Sequence, residues 1–271
     1  MNFKKMHGLG NDFVIIDARG ESTTLSAEQI TRICDRNFGV GCDLLTVLEP
    51  SEKADIFARF YNADGSQSDA CGNATRCVAD IVMKKQGSES CTIETGRGVL
   101  SCTRAENDMV TVDMGEPRVE WQYIPLAEER DTLFLDLNEN AENPAVAVNM
   151  GNPHCVIFVD DVENAFVDRI GPTVENHPLF PERTNVEFVQ VLDDGRLRQR
   201  TWERGVGETL ACGSGACAVA VAAIQRDLVD GRSVEIILNG GSIFIEWREN
   251  DNTVLMTGPV AYVFDGELKD L

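Results

Sequence analysis

The hydrophobic positions of this chain fall mostly into short runs of β-branched and aromatic residues. Some runs are apolar throughout and others alternate apolar with polar residues, as strands with two or one buried faces do. Turn signals at Asp64-Gly65-Ser66 and Asp193-Asp194-Gly195 follow two of the runs. The pattern predicts strands at 13–17, 44–48, 56–61, 99–102, 155–160, 186–192, 197–202, 242–247 and 260–264.

Three other stretches have the signals of an α-helix. Ser26 and Gln29 form a Ser-x-x-Gln capping-box pattern, which predicts a helix that continues to about Asn37. After Cys71, apolar residues recur with the spacing i, i+3, i+4, i+7 and i+8. After Cys212, residues 216–224 are apolar on nearly every side, which predicts a helix that a curved sheet surrounds.

The two cysteine motifs belong to an internal repeat. Ala70-Cys71-Gly72 and Ala211-Cys212-Gly213 are 141 residues apart, and at the same offset Gly10-Asn11 matches Gly151-Asn152. Near an offset of 142, residues 110–114 resemble 252–256. Repeats of this length imply duplication of a whole structural unit.

The repeat and the element order together predict an α+β fold of two pseudo-symmetric domains, each a curved mixed sheet wrapped around a central helix. The expected domains are 1–117 and 118–259, with a linker near 115–121. We expect the final strand, about 260–271, to return to the first domain. One cysteine comes from each domain, so an active site that uses both is expected between the domains.

Composition narrows the possible partners. The chain has 271 residues, of which 43% are hydrophobic, and a net charge of −21. This acidity argues against nucleic acid and anionic membranes as partners, because phosphate binding requires clustered Lys and Arg. The chain shows neither a signal-peptide pattern nor an apolar stretch of about 20 residues, so we expect a cytoplasmic protein. Nine cysteines without a Cys-x-x-Cys pair favour free thiols over disulfides or a metal site.

A cysteine followed by glycine at a helix start has a clear chemical use. The unpaired N–H groups and the helix dipole stabilise negative charge, so they lower a thiol pKa and bind a carboxylate. Two such sites, at Cys71 and Cys212, predict a two-base reaction that needs no cofactor. One cysteine, as a thiolate, removes an α-proton, and the other, as a thiol, returns a proton to the opposite face.

Nearby polar residues extend this hypothesis and also have simpler interpretations. His154 is either a hydrogen-bonded loop histidine or a group that tunes the thiols. Glu203-Arg204 is either a surface ion pair or a recognition site for an amino group and a carboxylate. Residues 213–218 also fit the loose dinucleotide pattern G-x-G-x-x-A, but no buried parallel strand is predicted before them.

The chain resembles the diaminopimelate epimerase family from Met6 to about Asp265. The resemblance is carried by Met6-His7-Gly8-Leu9-Gly10-Asn11-Asp12-Phe13, Tyr61-Asn62-Ala63-Asp64-Gly65-Ser66, Ala70-Cys71-Gly72-Asn73, Met150-Gly151-Asn152-Pro153-His154, Glu203-Arg204-Gly205, Ala211-Cys212-Gly213-Ser214-Gly215-Ala216-Cys217 and Met256-Thr257-Gly258-Pro259. Two departures are Leu44, where the family commonly has glutamine, and Ala74-Thr75 in place of Gly-Ala.

This resemblance implies a cofactor-independent homodimer that interconverts LL- and meso-diaminopimelate for lysine and peptidoglycan-precursor synthesis. It implies an acid/base pair at Cys71 and Cys212, tuned by His154 and Glu203. The reacting carboxylate would be held by Gly72, Asn73, Gly213 and Ser214. The distal amino-acid end would be held by Asn11, Asn62, Asn152, Asn185, Glu203 and Arg204.

Two alternatives remain open at this point. One is another two-cysteine racemase, acting on proline or hydroxyproline. The other is a redox-sensing protein in which Cys71 and Cys212 form a disulfide.

Overall fold

The computed structural model describes residues 1–20, 24–137 and 143–269, and the chain folds as two compact units. The first unit contains Met1–Asp113 and the chain from Thr257 onward, and the second contains Met114–Met256. The sequence predicted boundaries after residues 117 and 259, which are a few residues later than those of the structure. Met114 and Gly115 belong with the second unit because both form backbone hydrogen bonds of 2.9 Å with Val254.

Most of the regular structure is β-strand. The strands of the described residues are β1 (Asn2–Gly8), β2 (Asn11–Asp17), β3 (Leu44–Glu49), β4 (Ile56–Asn62), β5 (Gln67–Ser68), β6 (Ser90–Thr95), β7 (Gly98–Arg104), β8 (Val110–Asp113), β9 (Val146–Asn149), β10 (Pro153–Phe158), β11 (Asn185–Val191), β12 (Leu197–Glu203), β13 (Gly207–Thr209), β14 (Ser233–Leu238), β15 (Gly241–Trp247), β16 (Val254–Gly258) and β17 (Ala261–Glu267). The helices are α1 (Ala27–Cys34), α2 (Gly72–Gln86), α3 (Val167–Glu175) and α4 (Gly213–Gln225), and a short 3₁₀ turn covers Glu106–Asp108.

Each unit contains a mixed sheet with the same sequence of pairings. In the first unit, β2 is parallel to β3, β3 antiparallel to β4, β4 parallel to β6, and β6 antiparallel to β7. In the second, β10, β11, β12, β14 and β15 repeat these relations in the same order. The last strand, β17, pairs antiparallel with β1 and so belongs to the first unit.

The central helices lie against strands from across their own sheets. α2 contacts β1, β2, β6, β7 and β8, and α4 contacts β9, β10, β11, β14 and β15. Ten of the thirteen residues of α4 are buried, which agrees with its nearly uniform apolar sequence. The arrangement confirms the predicted α+β class, with a mixed sheet around a central helix in each unit.

Helix α1 begins as predicted but ends earlier. The Ser26 hydroxyl accepts from the Gln29 N–H, and the Gln29 side chain accepts from the Ser26 N–H, so the capping box is present. The helix ends at Cys34 rather than near Asn37. The reason is Asp35, whose carboxylate accepts from the N–H groups of Asn37 and Phe38 at 2.7 Å and so stabilises a turn instead of another helical turn.

Helix α3 contains Gly171 and Pro172, two residues that obscure a helical pattern in a sequence. Its buried side packs with Ile157, Val186 and Phe188 in one apolar cluster of the second unit. The longest helix of the described residues is α2, with 15 residues. In the same part of the chain, no helix is both long enough and apolar enough to cross a membrane.

Candidate functional site

Cys71 is the residue immediately before α2, in an extended conformation with φ −149° and ψ 109°. Its carbonyl oxygen accepts from both the N–H and the hydroxyl of Thr75, at 2.9 Å each, which closes the first helical turn. The half-buried thiol faces Asn11, with 3.9 Å between Sγ and Oδ1. The cysteine is therefore placed at a helix N-terminus, as the sequence predicted.

Asn11 connects this thiol to two other side chains. Its Oδ1 accepts from Asn73 Nδ2 at 3.2 Å, and its Nδ2 donates to Asp43 Oδ2 at 2.8 Å. The first unit thus brings Asn11, Cys71 and Asn73 together, and Gly72 lies between the last two in the chain. Asp43 was not among the predicted site residues. It immediately precedes β3, whose first residue, Leu44, pairs with Phe13 of β2.

Asn62 ends β4 and pairs across the sheet with Leu44 of β3. Its side-chain amide donates to the Ser66 hydroxyl at 3.0 Å, within the turn that the sequence indicated. Leu44 in turn pairs with Phe13 of β2, two residues beyond Asn11. The apolar residue at position 44 therefore lies on the strand between those that carry Asn11 and Asn62.

A partly buried ionic network supports the Asn11 end of this site. Lys5, which is 8% exposed, contacts the Asp12 carboxylate, and Arg36 binds both Asp12 and Asp43 at 2.7 Å. Burial alone would raise the pKa of Asp12, but the hydrogen bonds from Arg36 and Lys5 outweigh it and lower the pKa to about 2. Asp12 therefore stays ionised and holds the loop that carries Asp43.

Cys212 occupies the corresponding place before α4, with φ −114° and ψ 108°. Its side chain is more enclosed than that of Cys71, because the residue is only 6% exposed. The sulfur lies 3.7 Å from the Ser214 hydroxyl oxygen, and Gly213 begins the helix.

The acidity of Cys212 differs from the expectation. Burial raises the pKa of its thiol well above the usual value, and the carboxylates of Glu203 and Glu187 raise it further. Hydrogen bonds from the Gly215 backbone and the Ser214 hydroxyl act in the opposite direction but do not compensate. The prediction of a lowered pKa at a helix start was wrong for this cysteine, because desolvation outweighs the helix-end effect.

His154 is fully buried and both of its ring nitrogens face oxygen atoms. Nδ1 lies 2.8 Å from Glu187 Oε1, and Nε2 lies 3.1 Å from Asn152 Oδ1. Sequence reasoning named His154 and Asn152 but missed Glu187. The available signal was a charged residue between two apolar ones, Val186 and Phe188, in a buried stretch of β11.

The remaining predicted residues of the second unit form a connected group. Asn185 Nδ2 donates to the Pro153 carbonyl, and Asn185 Oδ1 accepts from the Arg204 N–H, both at 3.0 Å. The Arg204 guanidinium donates to the Glu182 carbonyl at 3.0 Å. Glu203 Oε1 accepts from the Thr209 hydroxyl at 2.6 Å, and this carboxylate is one of the two that act on Cys212.

Comparison with known proteins finds relatives that match nearly the whole chain. The family model for diaminopimelate epimerase matches residues 3–120 and 146–263. A curated diaminopimelate epimerase of Rhodospirillum centenum is 50% identical over 99% of this chain and 92% of its own length. That of Phenylobacterium zucineum is 50% identical over 98% of this chain and 97% of its own.

Solved structures extend the likeness of fold to more distant proteins. A hydroxyproline epimerase from Agrobacterium vitis aligns with a TM-score of 0.70 at 15% identity, over 98% of this chain and 91% of its own. A phenazine biosynthesis protein from Bacillus anthracis aligns with a TM-score of 0.69 at 18% identity, over 100% of this chain and 99% of its own. On the strength of the family match and the two close relatives, the chain belongs to the diaminopimelate epimerase family, a family of isomerases.

Proposed function

We propose that this protein interconverts LL- and meso-diaminopimelate without a cofactor, and that Cys71 and Cys212 are the two acid/base groups. The observation that carries the proposal is the duplicated cysteine at a helix N-terminus, one in each unit. Relatives that share about half of the residues bear the name of this activity. The product would serve lysine and peptidoglycan-precursor synthesis.

The chemistry transfers one proton at each face of the α-carbon. The Cys71 thiolate removes the α-proton, which breaks one C–H bond and leaves an electron pair delocalised into the carboxylate. The Cys212 thiol donates its proton to the other face, forms the new C–H bond and becomes the thiolate. The reverse reaction exchanges these roles, and solvent restores the protonation states between turnovers.

The high pKa of Cys212 supports its role as the proton donor in this direction. The N–H groups at the two helix starts would hold the reacting carboxylate through Gly72, Asn73, Gly213 and Ser214, and would stabilise the charge that develops on it. Six polar residues would bind the distal amino-acid end of the substrate: Asn11, Asn62, Asn152, Asn185, Glu203 and Arg204.

The test is incubation of the reduced protein with LL-diaminopimelate in D₂O, followed by chiral analysis and mass measurement. The proposal predicts meso product that carries deuterium at one α-position, and loss of that product in Cys71→Ala and in Cys212→Ala. Cys77→Ala and Cys217→Ala are the matched controls, because these buried cysteines follow the proposed pair by about one and a half helical turns. Both controls should retain most of the activity.

Other outcomes would select the alternatives. Turnover of proline or hydroxyproline in place of diaminopimelate would indicate another racemase. No turnover of any of these amino acids, with a Cys71–Cys212 disulfide that forms reversibly, would indicate a redox sensor. Full exchange in both alanine variants would refute the two-base mechanism.

We also infer that the protein is a homodimer that uses the exposed side of β17. Tyr262, Val263 and Phe264 are 54%, 50% and 44% exposed, and three consecutive large hydrophobic residues at this exposure are unusual on a monomer surface. The family resemblance points to the same assembly.

A further inference from the structure

The two cysteine sites differ in the residues beneath the helix. Strand pairing makes the halves comparable position by position, because Ile15 pairs with Thr46 as Val156 pairs with Glu187, at an offset of 141 residues. Pairings of the next strands keep the same offset. The equivalent positions are therefore Phe13 and His154, Thr46 and Glu187, Ala58 and Gln199, and Phe60 and Thr201.

Three of these four positions are apolar in the first unit, whereas all four are polar in the second. The polar residues of the second unit are at most 2% exposed: His154, Glu187, Gln199 and Thr201. Burial of such groups costs free energy unless each polar atom is hydrogen-bonded. Glu187 Oε2 and Gln199 Oε1 have no hydrogen-bond partner among the described residues. The first unit folds without this polar cluster, so the general fold does not require it.

Glu187 lies close to the Cys212 sulfur. A Cβ atom placed on Gly215 would be 2.7 Å from Glu187 Oε1 and 3.2 Å from Cys212 Sγ, so these two atoms are at most about 5.9 Å apart. The same Oε1 is 2.8 Å from His154 Nδ1. One carboxylate oxygen thus contacts the imidazole and lies within Coulombic range of the thiol.

Few other ionisable groups face Cys212. Strand β12 contributes Glu203, and β10 carries His154, which contacts Glu187. Cys155, also on β10, packs in the apolar cluster with Val186 and Phe188, on the opposite face of the strands from Glu187. The next thiol along α4 is the buried Cys217. Within the described part of the chain, the other strands against α4 place no further charge on that side. The carboxylates of β14 and β15 alternate with buried residues and point away from the core: Glu235 and Glu246.

We propose that Glu187 is a positioning residue of the second thiol site, which orients the His154 imidazole and keeps Cys212 protonated at rest, so that the two thiols are unequal before substrate binds. The proposal rests on the proposed function, because unequal thiols matter only if both exchange protons with a substrate. An acceptor at Nδ1 fixes the ring plane and directs Nε2 toward Asn152. A fixed negative charge near the sulfur disfavours a second one there.

The test compares alkylation of individual cysteines in Glu187→Gln with that in the unchanged protein. Iodoacetamide is applied at pH 8 without substrate, and peptide mass spectrometry follows Cys71 and Cys212 separately. If the pKa of the Cys212 thiol falls by about 1, the thiolate fraction rises about tenfold. The lower nucleophilicity of that thiolate offsets part of the gain in rate. The expected result is a three- to tenfold faster reaction at Cys212 and an unchanged rate at Cys71.

Glu235→Gln is the matched control, because it removes the same charge from the same unit at a side chain that points away from the core. It should leave the Cys212 rate unchanged. If Glu187→Gln does not fold, as judged by circular dichroism, Glu187→Thr replaces it and copies Thr46, the equivalent residue of the first unit. In the pH profile of kcat/KM, the limb assigned to Cys212 should move in the same direction as the alkylation midpoint.

An unchanged Cys212 rate in a folded Glu187 variant would overturn the inference, as would an equal acceleration at Cys71. Because alkylation requires no substrate, this result is independent of the proposed reaction. Selective acceleration at Cys212 in a protein that does not epimerise diaminopimelate would leave the inference standing and refute the proposed function.

Discussion

The substitution Gly215→Ala, at the third residue of α4, has two effects on the free energy of unfolding. The two effects act in opposite directions. Alanine is the better helix former, and in an unconstrained helix interior the change stabilises by about 0.5–1 kcal/mol. The equivalent residue of α2 is Ala74, which is fully buried, so a methyl group is accepted at this place in the first unit. Helix propensity alone therefore predicts a more stable protein.

Packing predicts the opposite sign. The new methyl carbon would lie 2.7 Å from Glu187 Oε1 and 3.2 Å from both Cys212 Sγ and Gln199 Nε2. The carboxylate must move to relieve the closest contact, and it would then leave His154 without its acceptor. A buried polar group that loses its partner costs about 1–3 kcal/mol, so the net effect is a loss on the order of 1–2 kcal/mol. The sulfur must also move by a few tenths of an ångström, which would lower the rate, though by less than the roughly 100-fold that a misplacement of about 1 Å can cost.

Urea denaturation followed by circular dichroism measures the stability, and the deuterium-exchange assay measures the rate. Ala74→Gly is the matched control in the first unit, since it lowers helix propensity and removes a buried methyl group without creating a close contact. It should lose about 1–2 kcal/mol, with a smaller effect on the rate than Gly215→Ala. If Gly215→Ala raises the free energy of unfolding by about 0.5–1 kcal/mol, the polar cluster moves aside without loss of stability. That result would refute the reasoning.

Two further predictions concern the ionic network and the assembly. The pKa of Asp12 is lowered from 3.8 to about 2, so its ionised form stabilises the fold above pH 3.8, and this contribution disappears as the pH falls through about 2. Asp12→Asn should therefore lose on the order of 2 kcal/mol at pH 7 and progressively less between pH 4 and pH 2; an equal loss at pH 7 and at pH 2 would contradict the assignment. Light scattering should give twice the chain mass of 29.8 kDa, and Tyr262→Glu should halve it, whereas Phe38→Glu, at a residue that is 86% exposed, should not. A monomeric mass for the unchanged protein would exclude the β17 dimer.

Local signals along the chain were sufficient for much of the fold. The capping box at Ser26 and Gln29 depends on residues three apart, and it forms as predicted. The helix that follows Cys71 was evident from its apolar spacing, and the helix that follows Cys212 from its nearly uniform apolar sequence. The early end of α1 was missed because the Asp35 side chain forms a turn that competes with the helix. The helix propensity of single residues does not show which of the two structures is more stable.

Contacts between distant segments were the part that sequence reasoning could not supply. Asp43 reaches Asn11 across 32 residues, and Glu187 reaches His154 across 33. Both contacts depend on the register of parallel strands, which no local pattern specifies. The sequence shows Glu187 as a charged residue between apolar ones, but it does not show that His154 is its partner.

The sequence by itself determined the duplication, the two cysteines at helix starts and the α+β class, because each follows from patterns that repeat along the chain. Only the tertiary structure decided that the two sites are unlike. At Cys212 burial raises the thiol pKa where the helix end alone would lower it, and a carboxylate from another strand adds to that effect. The physical reason is that desolvation and Coulomb energies depend on every group packed around an atom, whereas a helix N-terminus is a property of a few consecutive residues.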